Sequence, residues 1–358
     1  MKRTLCLFLL IALVLSLAAC DFNYYLSDES AGTMIAAYPK DAYPVKMVKT
    51  STHWVAMLSY YGSADYELAI GTTADVLESV YTTQEVSIWF MDANEEYVVW
   101  CEKSEENYTY KAHSIEEQTT EVVFQTTTDV EMQLMNVDIH NNGVYYAYMD
   151  FEAQQAHIYR YDLQTKAVET VYSPVWEGAK SVMCFAIEAG LLSVAAPAGV
   201  TVLDLDTGKT VFENALPEDT YYVFSVSYDA ANSTCALYYC DSDSENIGTM
   251  LQGDTAIRSV YTFGSNEYAY QDQIKCVNGC IFWISQHNVS GNVTDHYRLI
   301  QYDYLQDKPM ETNRTIAYFI DGKTVYFLRF DKAGNYRRWL AHCQGLQQEE
   351  LCVSEGKG

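Results

Sequence analysis

From residue 47 to residue 353 the chain alternates short apolar, aromatic-rich runs with polar turns, and the pattern returns with a period of roughly 44 residues. Each period reads as four strands: a first strand and short turn, a strongly aromatic second strand, a polar loop, a third strand, a tight turn and a fourth strand. The second strands stand out as "WVAMLSYY", "YVVWC", "VYYAYM", "LLSVAA", "CALYYC", "CIFWIS" and "TVYFLRF". Third strands follow as "YELAIGT", "YTYKAHS", "HIYRYDL", "VTVLDLD", "TMLQ", "YRLIQYD" and "YRRWLAH", each leading to a fourth such as "AVETVY" or "EELCVS". β-branched and aromatic residues at this density suit pleated, half-buried surfaces. The 31 tyrosines fit the same picture, since each buries a ring while its hydroxyl reaches water. No segment of comparable length has a helical period.

A four-stranded unit repeated at this spacing predicts an all-β fold, a β-propeller of seven four-stranded blades. In "YRYDLQTK", "VLDLDTGK" and "QYDYLQDK", Asp162, Asp204 and Asp303 stand where a short carboxylate accepts turn amides, and Gly208 supplies a positive φ. The first blade's inner strand is weakly marked around "VKMVKTST", which leaves a six-plus-one arrangement or a strand donated from the tail open.

Ahead of the repeat, "MKRTLCLFLLIALVLSLAAC" has two cations, an apolar run too short for an ordinary spanning helix, and small residues before Cys20. Its Leu-Ala-Ala-Cys ending resembles the lipobox of bacterial lipoproteins. That resemblance implies cleavage before Cys20 and acyl chains on its sulfur, which would anchor the protein to the extracytoplasmic side of a cell membrane. The expected division is a lipoprotein signal peptide (1–19), a lipid-anchored tether (20–46), the propeller (47–353) and a short tail (354–358).

The formal charge is −26, or −28 without Lys2 and Arg3, which makes nucleic acid a poor partner. Export permits disulfides. Cys276 and Cys280 bracket the turn trio "VNG", and Cys343 and Cys352 lie symmetrically about Gln347 and Gln348 of an expected hairpin.

In a propeller, loops joining second to third strands share a face with those joining blade to blade. Here that face receives Asp65, Glu102, Glu105, Glu106, Glu152, Asp241, Asp243, Glu245, Asp295 and Asp331, while Lys166, Lys209 and Lys308 go to the turns of the other face. An acidic loop face is therefore expected, with Trp176 of "SPVWEGAK" beside it as a surface for a sugar or a cation. Of these, Trp176, Glu102, Glu105, Glu106, Asp241, Asp243 and Glu245 are the candidate ligand-binding residues.

No metal is expected. "DSDSEN" has Asn246 in place of the calcium loop's glycine and Gln252 in place of its glutamate, and His287, Asp295 and His296 have no spacing that would converge them. No cofactor is expected either, since the sequence holds no G-x-S-x-G elbow, no H-E-x-x-H helix and no glycine-rich phosphate loop.

Aromatic second strands followed by "Y-D-L-x-T" wording make the chain similar to TolB-like propellers of bacterial surface lipoproteins. The similarity is one of architecture and implies no particular ligand. The expected role is a lipid-anchored, non-enzymatic binding or scaffold protein whose partner is a surface protein or glycan. The alternative is a polysaccharide hydrolase or lyase, which needs only two carboxyls at the right separation.

Overall fold

The computed structural model describes residues 24–25, 33–39, 42–60, 65–83, 86–127, 136–150, 155–174, 183–196, 198–287, 296–322, 324–330 and 336–343. Among the described residues there are twenty-nine strands. β1 (Tyr24–Tyr25) and β2 (Thr33–Pro39) precede the repeat. The first sheet is β3 (Ala42–Lys49), β4 (Trp54–Tyr60), β5 (Tyr66–Thr73) and β6 (Val76–Thr82); the second is β7 (Ser87–Ala93), β8 (Tyr97–Lys103), β9 (Asn107–Ser114) and β10 (Thr119–Thr127). The third is β11 (Val137–His140), β12 (Gly143–Asp150), β13 (Gln155–Asp162) and β14 (Val168–Tyr172). The fourth is β15 (Cys184–Glu188), β16 (Leu191–Ala196), β17 (Gly199–Asp204) and β18 (Lys209–Asn214). The fifth is β19 (Tyr222–Asp229), β20 (Thr234–Cys240), β21 (Glu245–Leu251) and β22 (Arg258–Thr262). β23 (Glu267–Val277), β24 (Cys280–His287), β25 (Tyr297–Asp303) and β26 (Lys308–Asn313) form the sixth sheet, to which β1 adds a fifth strand. β27 (Thr315–Asp321), β28 (Thr324–Phe330) and β29 (Tyr336–Cys343) form the last, completed by β2.

The sheets stand side by side around an axis with their first strands innermost. β3 packs on β7, β7 on β11, β11 on β15, β15 on β19, β19 on β23, β25 on β27, and β27 on β3 again. This is a β-propeller of four-stranded blades, and a hydrophobic cluster fills each junction between sheets. The aromatic second strands supply these clusters, which explains their prominence in the sequence. Trp100 and Trp283, both fully buried, come from β8 and β24.

The turns after the third strands follow one design. Asp162 Oδ1 accepts the amides of Gln164 and Thr165 at 3.0 and 2.8 Å, and Asp204 Oδ1 those of Asp206 and Thr207 at 3.0 and 2.8 Å. Asp303 Oδ1 accepts those of Leu305 and Gln306 at 3.0 and 2.9 Å. Gly208 takes φ +67°, as expected, while Lys166 and Asp307 occupy the matching left-handed position at 59° and 56°.

The main correction concerns residues read as a tether. Thr33–Pro39 is strand β2, which pairs antiparallel with β29 from Thr33 opposite Ala341 to Pro39 opposite Tyr336. Both sides of β29 are therefore filled, by β28 and β2. The expected fourth strand "EELCVS" lies outside the described residues, along with Cys352. The inner strand of the first sheet, weakly marked in sequence, is Ala42–Lys49, so it too begins inside the supposed tether. Among the described residues no helix is long and apolar enough to cross a membrane.

Deleting residues 33–39 should lower the melting temperature by on the order of 5–10 °C and expose the β29 edge to aggregation. Calorimetry of the truncated chain beside the full one measures this. An unchanged transition would mean that β2 is dispensable.

Candidate functional site

The residues expected to form an acidic face do not come together. Glu102 lies within β8, 6% exposed, where it accepts a hydrogen bond from Trp100 Nε1 at 2.8 Å and pairs with Lys111 at 2.7 Å. Burial works against the Lys111 charge, but its bonds to Glu102 and Tyr81 outweigh that and raise its pKa. Asp241 closes its own turn: Oδ1 accepts the amides of Asp243 and Ser244, each at 2.9 Å, and Oδ2 accepts Asn246 Nδ2 at 2.9 Å. The amide of Asp243 leads the causes that lower its pKa. Glu245 accepts the Tyr238 hydroxyl.

Glu105, Glu106 and Asp243 remain exposed, but on the second and fifth sheets, with two sheets between them in the ring. Trp176 lies outside the described residues, as do Cys20, Glu152, Asp295 and Asp331. The turn face is acidic as well: it carries Asp75, Glu95, Glu96, Glu116, Glu117, Asp206 and Asp254, and Lys166 there is neutralised by Glu121 at 2.6 Å. Charge is not divided between the faces as the sequence had implied.

The proposed Cys276–Cys280 bridge is ruled out by register. Cys276 stands opposite Ile281, and Cys280 opposite Val277. That one-residue offset sends the two thiols to opposite faces of the sheet, one into the junction with the fifth sheet and the other into the junction with the last. Both are free, and burial pushes the Cys280 thiol up to about 11 and that of Cys276 well above its ordinary value.

The structure does gather a cluster near the axis that the sequence reading missed. The inner strands β11, β15 and β23 alternate buried apolar residues with partly accessible ones, and in the first strands of five sheets a partly accessible residue is charged: Lys46, Asp92, Asp138, Glu188 and Lys275. Lys46 Nζ of the first sheet donates to Gln273 Oε1 of the sixth at 3.1 Å, passing the last sheet between them. Lys275 of the sixth sheet pairs with Glu188 of the fourth at 2.8 Å, passing the fifth. Contacts that skip a sheet cross the centre of the ring. Lys275 keeps 42% of its side chain accessible while surrounded by protein, as a residue lining an axial channel would.

The same residues tie neighbouring blades together. Asp92 Oδ2 accepts the Ile139 amide at 3.1 Å, and Asp138 Oδ2 accepts the Ile187 amide at 2.9 Å. Ser225 and Ser227 Oγ accept the amides of Ile274 and Cys276 at 3.2 and 2.7 Å, and Ser227 donates to Glu188 at 2.8 Å.

Burial raises Asp92, and it raises Asp138 to about 7 with the neighbouring Asp92 carboxylate acting in the same direction. Burial alone would lower the Lys275 amine, but Glu188, Asp138 and Asp92 outweigh it and hold the ammonium charged. Lys46 falls to about 8, first from burial and then from repulsion by Lys275. The cluster can therefore take up a proton at Asp138 near neutral pH and hold one cation against three carboxyls.

A signal for it was present, one ionisable residue between apolar neighbours in each of "VKM", "MDA", "VDI", "IEA" and "IKC". Among the described residues no group of three or more His, Cys, Asp or Glu side chains has metal-holding geometry.

No protein-family profile matches the chain, and no curated protein matches it. Solved structures do. The β-propeller domain of the trilobed protease of Pyrococcus furiosus, described as having an open velcro topology, aligns with a TM-score of 0.56 at 9% identity over 86% of this chain and 95% of that one. The Pyrococcus horikoshii acylaminoacyl peptidase aligns at 0.52 and 9% identity over 89% of this chain, which spans 55% of that protein's length. TolB from Acinetobacter baumannii aligns at 0.46 and 10% identity over 69% of this chain and 59% of that one, a likeness too loose to carry an argument. At these identities the similarity establishes the propeller fold.

Two predictions follow from the thiols and the axial cluster. Reducing agent should leave the melting temperature unchanged, and thiol titration of the unfolded, unreduced protein should find Cys276 and Cys280 reactive. Lys275→Met should cost about 1–2 kcal/mol, less than breaking a fully buried pair because 42% of the Lys275 side chain is accessible. The cost should be larger at pH 8 than at pH 5. Asp138's folded pKa is raised, so its stabilising proton is held below about 7 and lost as pH rises through that value, when an extra carboxylate then lacks its counter-charge. Equal losses at both pH values, read from denaturant midpoints, would contradict the coupling.

Proposed function

We propose that this chain is a lipid-anchored extracytoplasmic β-propeller that works as a non-enzymatic binding or scaffold protein, with a protein or glycan of the cell surface as its partner. On this reading the five-stranded sheet acts as a blade like the six four-stranded ones, so the propeller is seven-bladed; the packing of its β25 against β27 supports that count. The observation that carries the scaffold role is the use made of the axial polar groups. Asp92, Asp138, Ser225 and Ser227 each accept an amide from the next blade, as expected where polar side chains brace a rigid platform. Anchoring at Cys20 is supported by the lipobox-like "LAAC", and an extracytoplasmic setting by the strong negative charge, which favours solubility.

The alternative, a polysaccharide hydrolase or lyase, draws on Asp92 and Asp138, two carboxyls near enough that Asp92 helps burial raise Asp138 to about 7. Turnover of a polysaccharide that is lost in both Asp92→Asn and Asp138→Asn, with folding retained, would establish it.

The scaffold reading is tested by gentle extraction of the protein from its own membranes, light crosslinking and identification of stoichiometric companions. A recurrent protein or glycan, absent when Cys20→Ala releases the chain from the membrane fraction, is the expected result. A chain that comes out alone, and is found equally in the soluble fraction with and without Cys20, would overturn it.

A further inference from the structure

Strand β1 runs parallel to β26, with Tyr24 opposite Met310 and Tyr25 opposite Glu311. β26 leaves the turn face at Lys308 and reaches the loop face at Asn313. A parallel neighbour travels the same way, so the chain arrives at Tyr24 from the turn-face side, at the outer rim of the sixth sheet. Cys20 precedes Tyr24 by four residues, and an extended chain covers at most about 3.6 Å per residue, so Cys20 stays within about 14 Å of Tyr24.

We propose that the turn-face rim of the sixth sheet and its neighbour rests on the lipid surface while the loop face points away from the membrane. This rests on the anchoring at Cys20 proposed above. If that sulfur carries acyl chains, the chain length leaves no room for a long flexible stalk, and the bilayer must lie beside β1.

The surface at this rim suits an interfacial position. Leu305, at the tip of the turn from β25 to β26, is 64% exposed, and Leu251, at the turn-face end of β21 in the adjacent sheet, is 53% exposed. The acids beside the two leucines are engaged within their own turns: Asp303 accepts the amides of Leu305 and Gln306, and the exposed Asp307 and Asp254 accept the Tyr302 hydroxyl and the Leu251 amide. Two outward leucines can bury methylenes at the headgroup boundary, each adding to the acyl anchor. Attraction to anionic headgroups is not the source of this contact, because the chain carries a formal charge of −26. The contact is apolar, and the acyl chains on Cys20 bring it about.

The test uses the full acylated chain reconstituted into vesicles of phosphatidylethanolamine and phosphatidylglycerol, doped with a phospholipid bearing a diazirine high on its acyl chain. Light-induced adducts are mapped by mass spectrometry, and the mass of the N-terminal peptide is read from the same sample. Adducts concentrated on the peptides holding Leu305 and Leu251, and several-fold weaker around Glu105, Glu106 and Asp243, are expected. Adducts centred on the loop face, or spread evenly, would overturn the orientation while leaving the anchor in place. An N-terminal peptide without acyl mass at Cys20 would overturn the anchoring reading and the orientation together. In Leu305→Asp, adduct yield at the rim should fall severalfold with the melting temperature retained; an unchanged yield would also overturn the proposed contact.

Discussion

A ring of sheets has no end of its own. Each sheet covers its two faces only with its neighbours, so one open junction would expose apolar surface on two sheets at once, at about 25 cal/mol for each Å². Everything else in this protein depends on closing that last junction. Closure comes from the beginning of the chain: β2 supplies the outer strand of the sheet whose other three strands come from the end. The two extremities of the sequence are thereby held in one hydrogen-bonded sheet, and the apolar cluster holding Met47, Ala56 and Leu328 seals the junction between last and first.

Directional bonds between inner strands then set the spacing that packing alone would leave loose. Near the axis Asp92, Asp138, Ser225 and Ser227 each hold an amide of the following blade. On the turn face the linkage continues. Glu95 gathers the Ser51 amide at 2.6 Å and the Thr50 hydroxyl at 3.1 Å, Asn94 donates to the Asn141 carbonyl at 2.7 Å, and Asp229 accepts the Gly279 amide at 2.6 Å. Asn278 donates to Gly322 O at 3.1 Å, and Lys49 pairs with Asp321 across the closing junction. The hydroxyls of Ser51 and Thr52 hold Glu95 down at about 2, so this clasp stays ionised at any ordinary pH. A fold fixed in this way serves well as a platform, since its shape changes little when something binds to a loop.

Strand order was readable because period-two burial and aromatic second strands are local properties. "WVAMLSYY", "CALYYC" and the other second strands coincide with β4, β20 and their counterparts, and the Asp162, Asp204 and Asp303 turns close as their spacing implies. Residues 33–39 were not readable, because a donated outer strand pairs with residues about three hundred positions away in the chain and carries no repeat of its own. The surroundings of the described acids expected on one face were unreadable for a related reason. Whether a carboxylate such as Glu102 faces solvent or pairs with a lysine on the next strand depends on its position in the sheet, and a charge count does not contain that. The axial cluster joins Lys275 to Glu188 and Lys46 to Gln273 across the ring, pairings that no local pattern encodes, although a charge among apolar neighbours in five of the inner strands hinted at them.

The central claim is that β2 closes the ring as a full member of its sheet, and native-state hydrogen exchange tests it most directly. The β29 amides that face β2 should exchange as slowly as those of β25, an interior third strand of the neighbouring sheet, and should slow and quicken with them as denaturant is varied. Fast, independent exchange of the β29 amides would show that the edge is open and that something other than β2 holds the ring together.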